Sequence, residues 1–78
     1  MQPGTSYDSD EDGYWLEREI TLLERALEDQ GELRRRDLGR LVGCKYWGPQ
    51  RFSRALRAAV EQGRIRRTGV GRYAPAGG

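Results

Sequence analysis

Three stretches of helical apolar spacing, followed by two short alternating segments around a glycine turn, leave few folds open to a chain of 78 residues. In the first stretch, 14–30, Leu16, Ile20, Leu23 and Leu27 fall at i, i+4, i+7 and i+11 and make one narrow stripe, with Gly31 as the stop. In the third, about 49–62, Phe52, Ala55, Leu56, Ala59 and Val60 give the i, i+3, i+4, i+7, i+8 pattern of one buried face, ended by Gly63. Between them a shorter helix is expected over 37–43. Asp37 would cap it, Leu38, Leu41 and Val42 would face inward, and Gly43 would end it. Glu32-Leu33-Arg34 reads as a very short strand. Arg64 to Arg67 and Arg72 to Ala74 read as the two strands of a hairpin, with Thr68-Gly69-Val70-Gly71 as its turn and Ile65 and Tyr73 toward the core.

The ends and the turn carry their own signals. Residues 1–13 hold Pro3, Gly4, Gly13 and the acidic run Asp8, Asp10, Glu11, Asp12, too little apolar surface to offset ordering, so a disordered acidic tail is expected there. Its plainest role is solvation; competition with a polyanion for a basic surface is the alternative. Residues 76–78 are expected to form a flexible C-terminal tail, leaving one domain over 14–75. In the turn 44–49, Pro49 suits the first position of a helix with Gly48 as its cap. Trp47 and Phe52 then have the spacing of a hydrophobic staple, while an exposed Tyr46-Trp47 pair would instead suit a partner. On the first helix Trp15, Leu22 and Ala26 form a second, weaker apolar strip. It would pack within the domain or against a second copy, in a homodimer through helix 1.

Composition removes several classes of activity. There is one cysteine, Cys44, and no histidine, which excludes an internal disulfide, a Cys/His zinc site and a histidine-based catalytic triad. Cys44 reads as a small core side chain rather than a redox group. No glycine loop built to cradle phosphate precedes a helix, and no paired carboxylates are locatable by pattern, so no enzyme and no cofactor are expected. No apolar run reaches membrane-spanning length, and the chain start has no charged-then-apolar leader pattern, so the expectation is a cytoplasmic protein without a membrane partner. The net charge of +2 hides a segregation. Residues 1–31 hold nine acidic residues and two arginines, whereas 32–78 hold three acidic residues, eleven arginines and one lysine. A strongly basic half suits a polyanionic partner, because each neutralised phosphate releases counterions. Codon bias, as in a GC-rich bacterial genome, explains arginine over lysine but not the separation of sign.

The order helix, short strand, helix, turn, helix, hairpin, carried by Asp37-Leu-Gly-Arg-Leu-Val-Gly43, Phe52-Ser-Arg-Ala-Leu56, Val60-Glu-Gln-Gly63-Arg-Ile65 and Gly69-Val-Gly71-Arg-Tyr73, resembles the winged helix-turn-helix family. The resemblance covers about four-fifths of the chain and rests on pattern and order rather than an invariant signature. Phe52 lies nine positions after Gly43, a turn about three residues longer than the tight motif. The resemblance implies a mainly α, α+β fold of three helices with a C-terminal hairpin as the wing. It also implies double-stranded DNA as partner, with the third helix in the major groove.

On that helix, the face opposite the core pattern holds Gln50, Arg51, Arg54, Ala58 and Glu61, with Arg57 on the flank. Gln50 is suited to adenine, and Arg51 or Arg54 to guanine through paired hydrogen bonds. Arg57, Lys45 and Ser53 are suited to phosphate. On the hairpin, Arg64, Arg66, Arg67 and Arg72 would follow the backbone or enter a narrow minor groove, with Arg66 and Arg72 favoured because their neighbours Ile65 and Tyr73 point inward. Arg34-Arg35-Arg36 is a basic loop that would also reach phosphate at the start of the second helix. The bland alternatives are a solvated arginine-rich helix face and an edge strand kept soluble by charge. The expected function is sequence-specific duplex binding by a small transcriptional regulator or DNA-element accessory factor, nucleoid-associated if bacterial. A protein-interaction module using helix 1 or Tyr46/Trp47, and binding to structured RNA, are the alternatives.

Overall fold

The computed structural model describes the backbone of residues 3–48 and 50–77 and the side chains of 13–48 and 50–77. Helix α1 spans Pro3–Gln30, strand β1 Leu33–Arg34, helix α2 Arg35–Val42, helix α3 Arg51–Glu61, and strands β2 and β3 Ile65–Gly69 and Arg72–Pro75. A single 3-10 turn, Cys44–Tyr46, lies between α2 and α3. The strands form one antiparallel sheet in the order β1-β3-β2. The expected α+β architecture of three helices and a C-terminal hairpin is the one observed.

The core is the sum of the three apolar faces. Ile20, Leu23 and Leu27 of α1, Leu38 of α2, Phe52, Ala55, Leu56 and Ala59 of α3, and Ile65 of β2 form one buried cluster. Leu16, Leu33, Val42 and Tyr73 pack at its edge. Gly39 brings α2 close to α3: a methyl group there would meet Cys44 Sγ at 2.9 Å and the Phe52 ring at 3.3 Å. Cys44 is therefore a packing residue at the edge of the core, as expected. Gly43, at φ 71°, closes α2 by donating its N–H toward the carbonyls of Arg40 and Gly39.

Several boundaries differ from expectation, each for a local reason. Helix α1 begins at Pro3, inside the segment expected to be a disordered tail, because Pro suits the first helical position and lengthening a formed helix costs far less than starting one. Met1 and Gln2 lie outside the described residues, as does Gly78. Helix α2 begins at Arg35, two residues early, and Asp37 sits within its first turn instead of capping it. The Arg35 N–H donates instead to the Gly71 carbonyl at 2.7 Å, a contact the hairpin supplies. Leu41 is exposed at 52% rather than inward, because the core-facing arc of α2 centres between Leu38, Gly39 and Val42. Ala26 is buried in the core, so the second strip of α1 is reduced to Trp15 and Leu22. Strand β2 runs on to Gly69, with a bulge between Arg67 and Gly69, and leaves only Val70 and Gly71 as the turn.

The expected start of α3 also shifts. The helix begins at Arg51, and its cap position is Gln50, not Gly48. Pro49, expected at the first helical position, lies outside the described residues. The Trp47 and Phe52 rings meet edge to face, centroids 5.9 Å apart, yet with this cap Phe52 is the second helical residue. The two rings touch, but not in the staple register.

Candidate functional site

The exposed side of α3 is built by a helix with one apolar face and no acidic residue until Glu61. Gln50, Ser53, Arg54 and Arg57 are exposed along it and line one shallow depression. Gln50 is at φ 66°, the one non-glycine residue at positive φ among those described. A left-handed conformation costs a side chain on the order of 1–2 kcal/mol, and such strain collects at functional positions. The Gln50 carbonyl accepts the Arg54 N–H at 3.0 Å, so the strained residue fixes where α3 starts.

A second depression lies between α3 and the hairpin and continues the first through Ser53 and Arg57. Arg35, from the start of α2, and Arg67, from β2, are its other cationic walls, and Tyr73 and Leu56 form its floor. Arg35 Nη2 donates to Ser53 Oγ at 2.6 Å, and its guanidinium lies 5.1 Å from the centre of the Phe52 ring. That arginine is thereby held against α3 with part of its donor fork still open. Glu61 also borders this depression and is its one acidic group. No family model matches the chain, and comparison with curated proteins and with solved structures finds no match. The chemistry of this face therefore rests on its own side chains.

The structure separates the expected arginines into two groups. Arg54, Arg57 and Arg67 reach the open face with Gln50 and Ser53. Arg51 borders that face at the first turn of α3, but its Nη2 is held by Glu19 of α1, a carboxylate only 5% exposed. Glu19 Oε1 and Arg51 Nε have no hydrogen-bond partner among the described residues. Arg64 turns away from the face altogether. Its Nη2 donates to Glu24 at 2.7 Å, its Nη1 meets Glu17 at 2.7 Å, and Thr21 Oγ1 lies at 3.4 Å. Hydrogen bonds to Glu24 and then Glu17 raise its pKa further above the ordinary arginine value, so it is a permanent cation clipped to α1.

The hairpin reverses the order of preference. Arg67 pairs with Tyr73 and shares its side of the sheet, which is the side that borders α3. Arg66 pairs with Ala74 on the opposite side, and its Nε donates to the Pro75 carbonyl at 3.3 Å. Arg72 alternates to that opposite side as well and stands 3.9 Å from Glu32, which also accepts from Thr68 at 3.0 Å. Lys45 lies on the 3-10 turn, 5.1 Å from the Tyr46 ring centre, and lines neither depression. In the sequence Arg35 stands out only as part of a basic run; its place at a helix start, where donors already converge, was the available signal. Glu19 carried a signal too. It sits three residues after Leu16 and four before Leu23, on the edge of the apolar stripe, where a carboxylate needs a partner. No group of residues able to hold a metal ion occurs among the described residues, and no described helix is long and apolar enough to cross a membrane.

Proposed function

We propose that the chain is a winged helix-turn-helix protein that binds duplex DNA in a sequence-specific way, with α3 in the major groove and the β2–β3 hairpin as its wing. The observation that carries this reading is convergence: Arg35 from α2, Ser53 and Arg57 from α3 and Arg67 from β2 line one continuous open depression beside Arg54 and Gln50. Arginines from three separate elements, spread along a shallow face rather than enclosing a cavity, suit a row of phosphates more than a small anion. In this arrangement Arg35, Ser53, Arg57 and Arg67 follow the backbone, and Gln50 and Arg54 reach base edges. A small transcriptional regulator or DNA-element accessory factor in the cytoplasm is the role this supports.

A second reading follows from a different surface. Tyr46 is 81% exposed, and Trp15 and Leu22 are about half exposed, which favours a contact with protein, including a second copy in a homodimer. The deciding experiment is fluorescence anisotropy with a pool of random-sequence DNA duplexes over a salt series, beside an RNA hairpin of equal length. Duplex binding that weakens steeply with salt, followed by enrichment of particular sequences on selection, supports the DNA reading. Absence of duplex binding at low salt rejects it, and tighter binding to the RNA hairpin transfers the face to RNA.

A further inference from the structure

Away from the arginine face, the side of α1 that meets the 44–47 turn carries a groove of about 280 Å³. Its walls are Trp15 and Leu22 of α1 and Tyr46 and Trp47 of the turn, and Trp15 and Leu22 are about half exposed. The volume lies just under the ~300–1,000 Å³ of pockets for drug-sized ligands, so the groove suits one flat ring rather than a larger molecule. Aromatic side chains from two elements offer that ring faces and edges to stack on.

The charged lining selects among rings. Two cations, Arg18 and Arg51, and one carboxylate, Glu19, complete the groove, and Arg51 Nη2 already holds Glu19. Arg18 has no carboxylate partner among the described residues. Its guanidinium lies 5.8 Å from the centre of the Tyr14 ring, with the Tyr14 hydroxyl at 3.5 Å. The lining therefore holds one cation in excess. Glu17 is turned to Arg64. Glu28 and Asp29 are exposed acids of the same helix, but they stand six and seven residues past Leu22, roughly 9–10 Å along the axis, and do not line the groove. The floor points to a polar occupant as well. Glu19 is 5% exposed, yet its Oε1 and the Arg51 Nε have no hydrogen-bond partner among the described residues. A buried ion pair satisfied on one side only is where a further polar group gains most.

We propose that this groove binds a small aromatic carboxylate, with its ring between Trp15 and the Tyr46–Trp47 turn and its carboxylate on Arg18. A neutral ring leaves the excess cation unmatched, and a cationic ring is repelled by it. The ligand takes the place of a protein contact on the same strip. None of Arg35, Arg54, Arg57 and Arg67 lines the groove, so this site and duplex binding fail separately.

Trp15 and Trp47 are the two tryptophans of the chain, so both indole N–H signals in a nitrogen-15 NMR spectrum report on the groove. Titration of the full chain with phenylacetate, from micromolar to tens of millimolar at constant ionic strength, tests the proposal. Both signals should shift and saturate with a midpoint of about 1 mM. The neutral isostere phenylacetamide should bind about three- to tenfold more weakly. Arg18→Gln should lower phenylacetate to the level of the amide, whereas Arg57→Gln, on the other face, should leave binding as it was. Indole signals that stay fixed throughout, equal binding of acid and amide, or wild-type binding by Arg18→Gln each overturn the proposal. A chain that sediments as a dimer and gives no response to phenylacetate overturns it too, and assigns the strip to a second copy.

Discussion

Arg51 and Arg57 are six residues apart on one helix, yet they belong to different parts of the molecule. Arg51 is spent inside the chain, on a carboxylate that the core has almost closed over. Arg57 stands exposed between the two depressions of the open face. The hairpin repeats the division, with Arg64 clipped to Glu17 and Glu24 and Arg67 facing α3. Part of the segregation of charge in the sequence is thus an internal matter. The acidic α1 neutralises two arginines of the basic half, while Arg35, Arg54, Arg57 and Arg67 line the open face. Abundance of arginine alone does not mark a surface; Arg51 and Arg64 show that part of it is taken up by acids of the same chain.

Single substitutions should sort these two groups by stability and by affinity. The largest effect expected is from Arg51→Ala, which strands the Glu19 carboxylate. The chain should lose roughly 2–3 kcal/mol in urea denaturation, less than the roughly 3–5 kcal/mol of a fully buried pair because Arg51 itself is partly in water. Glu19→Gln placed beside it should recover much of that loss. Next comes Arg54→Ala, which should reduce discrimination between preferred and unrelated duplexes by about 1–3 kcal/mol, measured on the folded fraction. An equal loss on every duplex would make Arg54 a phosphate contact. Arg64→Ala should cost about 1 kcal/mol of stability, since water reaches all three of its partners, and leave the affinity of the folded fraction as it was. The smallest effect is the reverse in sign: Glu61→Gln removes the one acidic group beside the open face and should tighten duplex binding roughly two- to threefold at low salt, fading as salt rises.

The fold was legible where a pattern is local. The i, i+3, i+4 spacing of Phe52, Ala55, Leu56 and Ala59 oriented α3 correctly, and Ile65 and Tyr73 faced the core as the pleat requires. What escaped was set by partners distant in sequence. Arg51 and Arg64 look the same as Arg54 and Arg67 in the sequence, because their carboxylates lie 32 to 47 positions earlier. The start of α2 was missed because the hairpin carbonyl of Gly71 supplies the acceptor. The preference for Arg66 and Arg72 equates pointing away from the core with pointing toward a ligand, and the structure sets both on the side of the sheet away from the depression beside α3. In this fold Tyr73 floors the groove, so its same-side neighbour Arg67 is the one that lines it.

The division between clipped and open arginines is tested most directly by the salt dependence of duplex affinity in two triple variants. Arg35→Gln, Arg57→Gln and Arg67→Gln together should lower the slope of log affinity against log salt by nearly three, about 0.9 for each phosphate no longer neutralised. The same measurement on Arg64→Gln, Arg66→Gln and Arg72→Gln should leave the slope within about one of the wild-type value. Equal decreases of slope in the two variants, or a larger decrease in the second, would contradict the account.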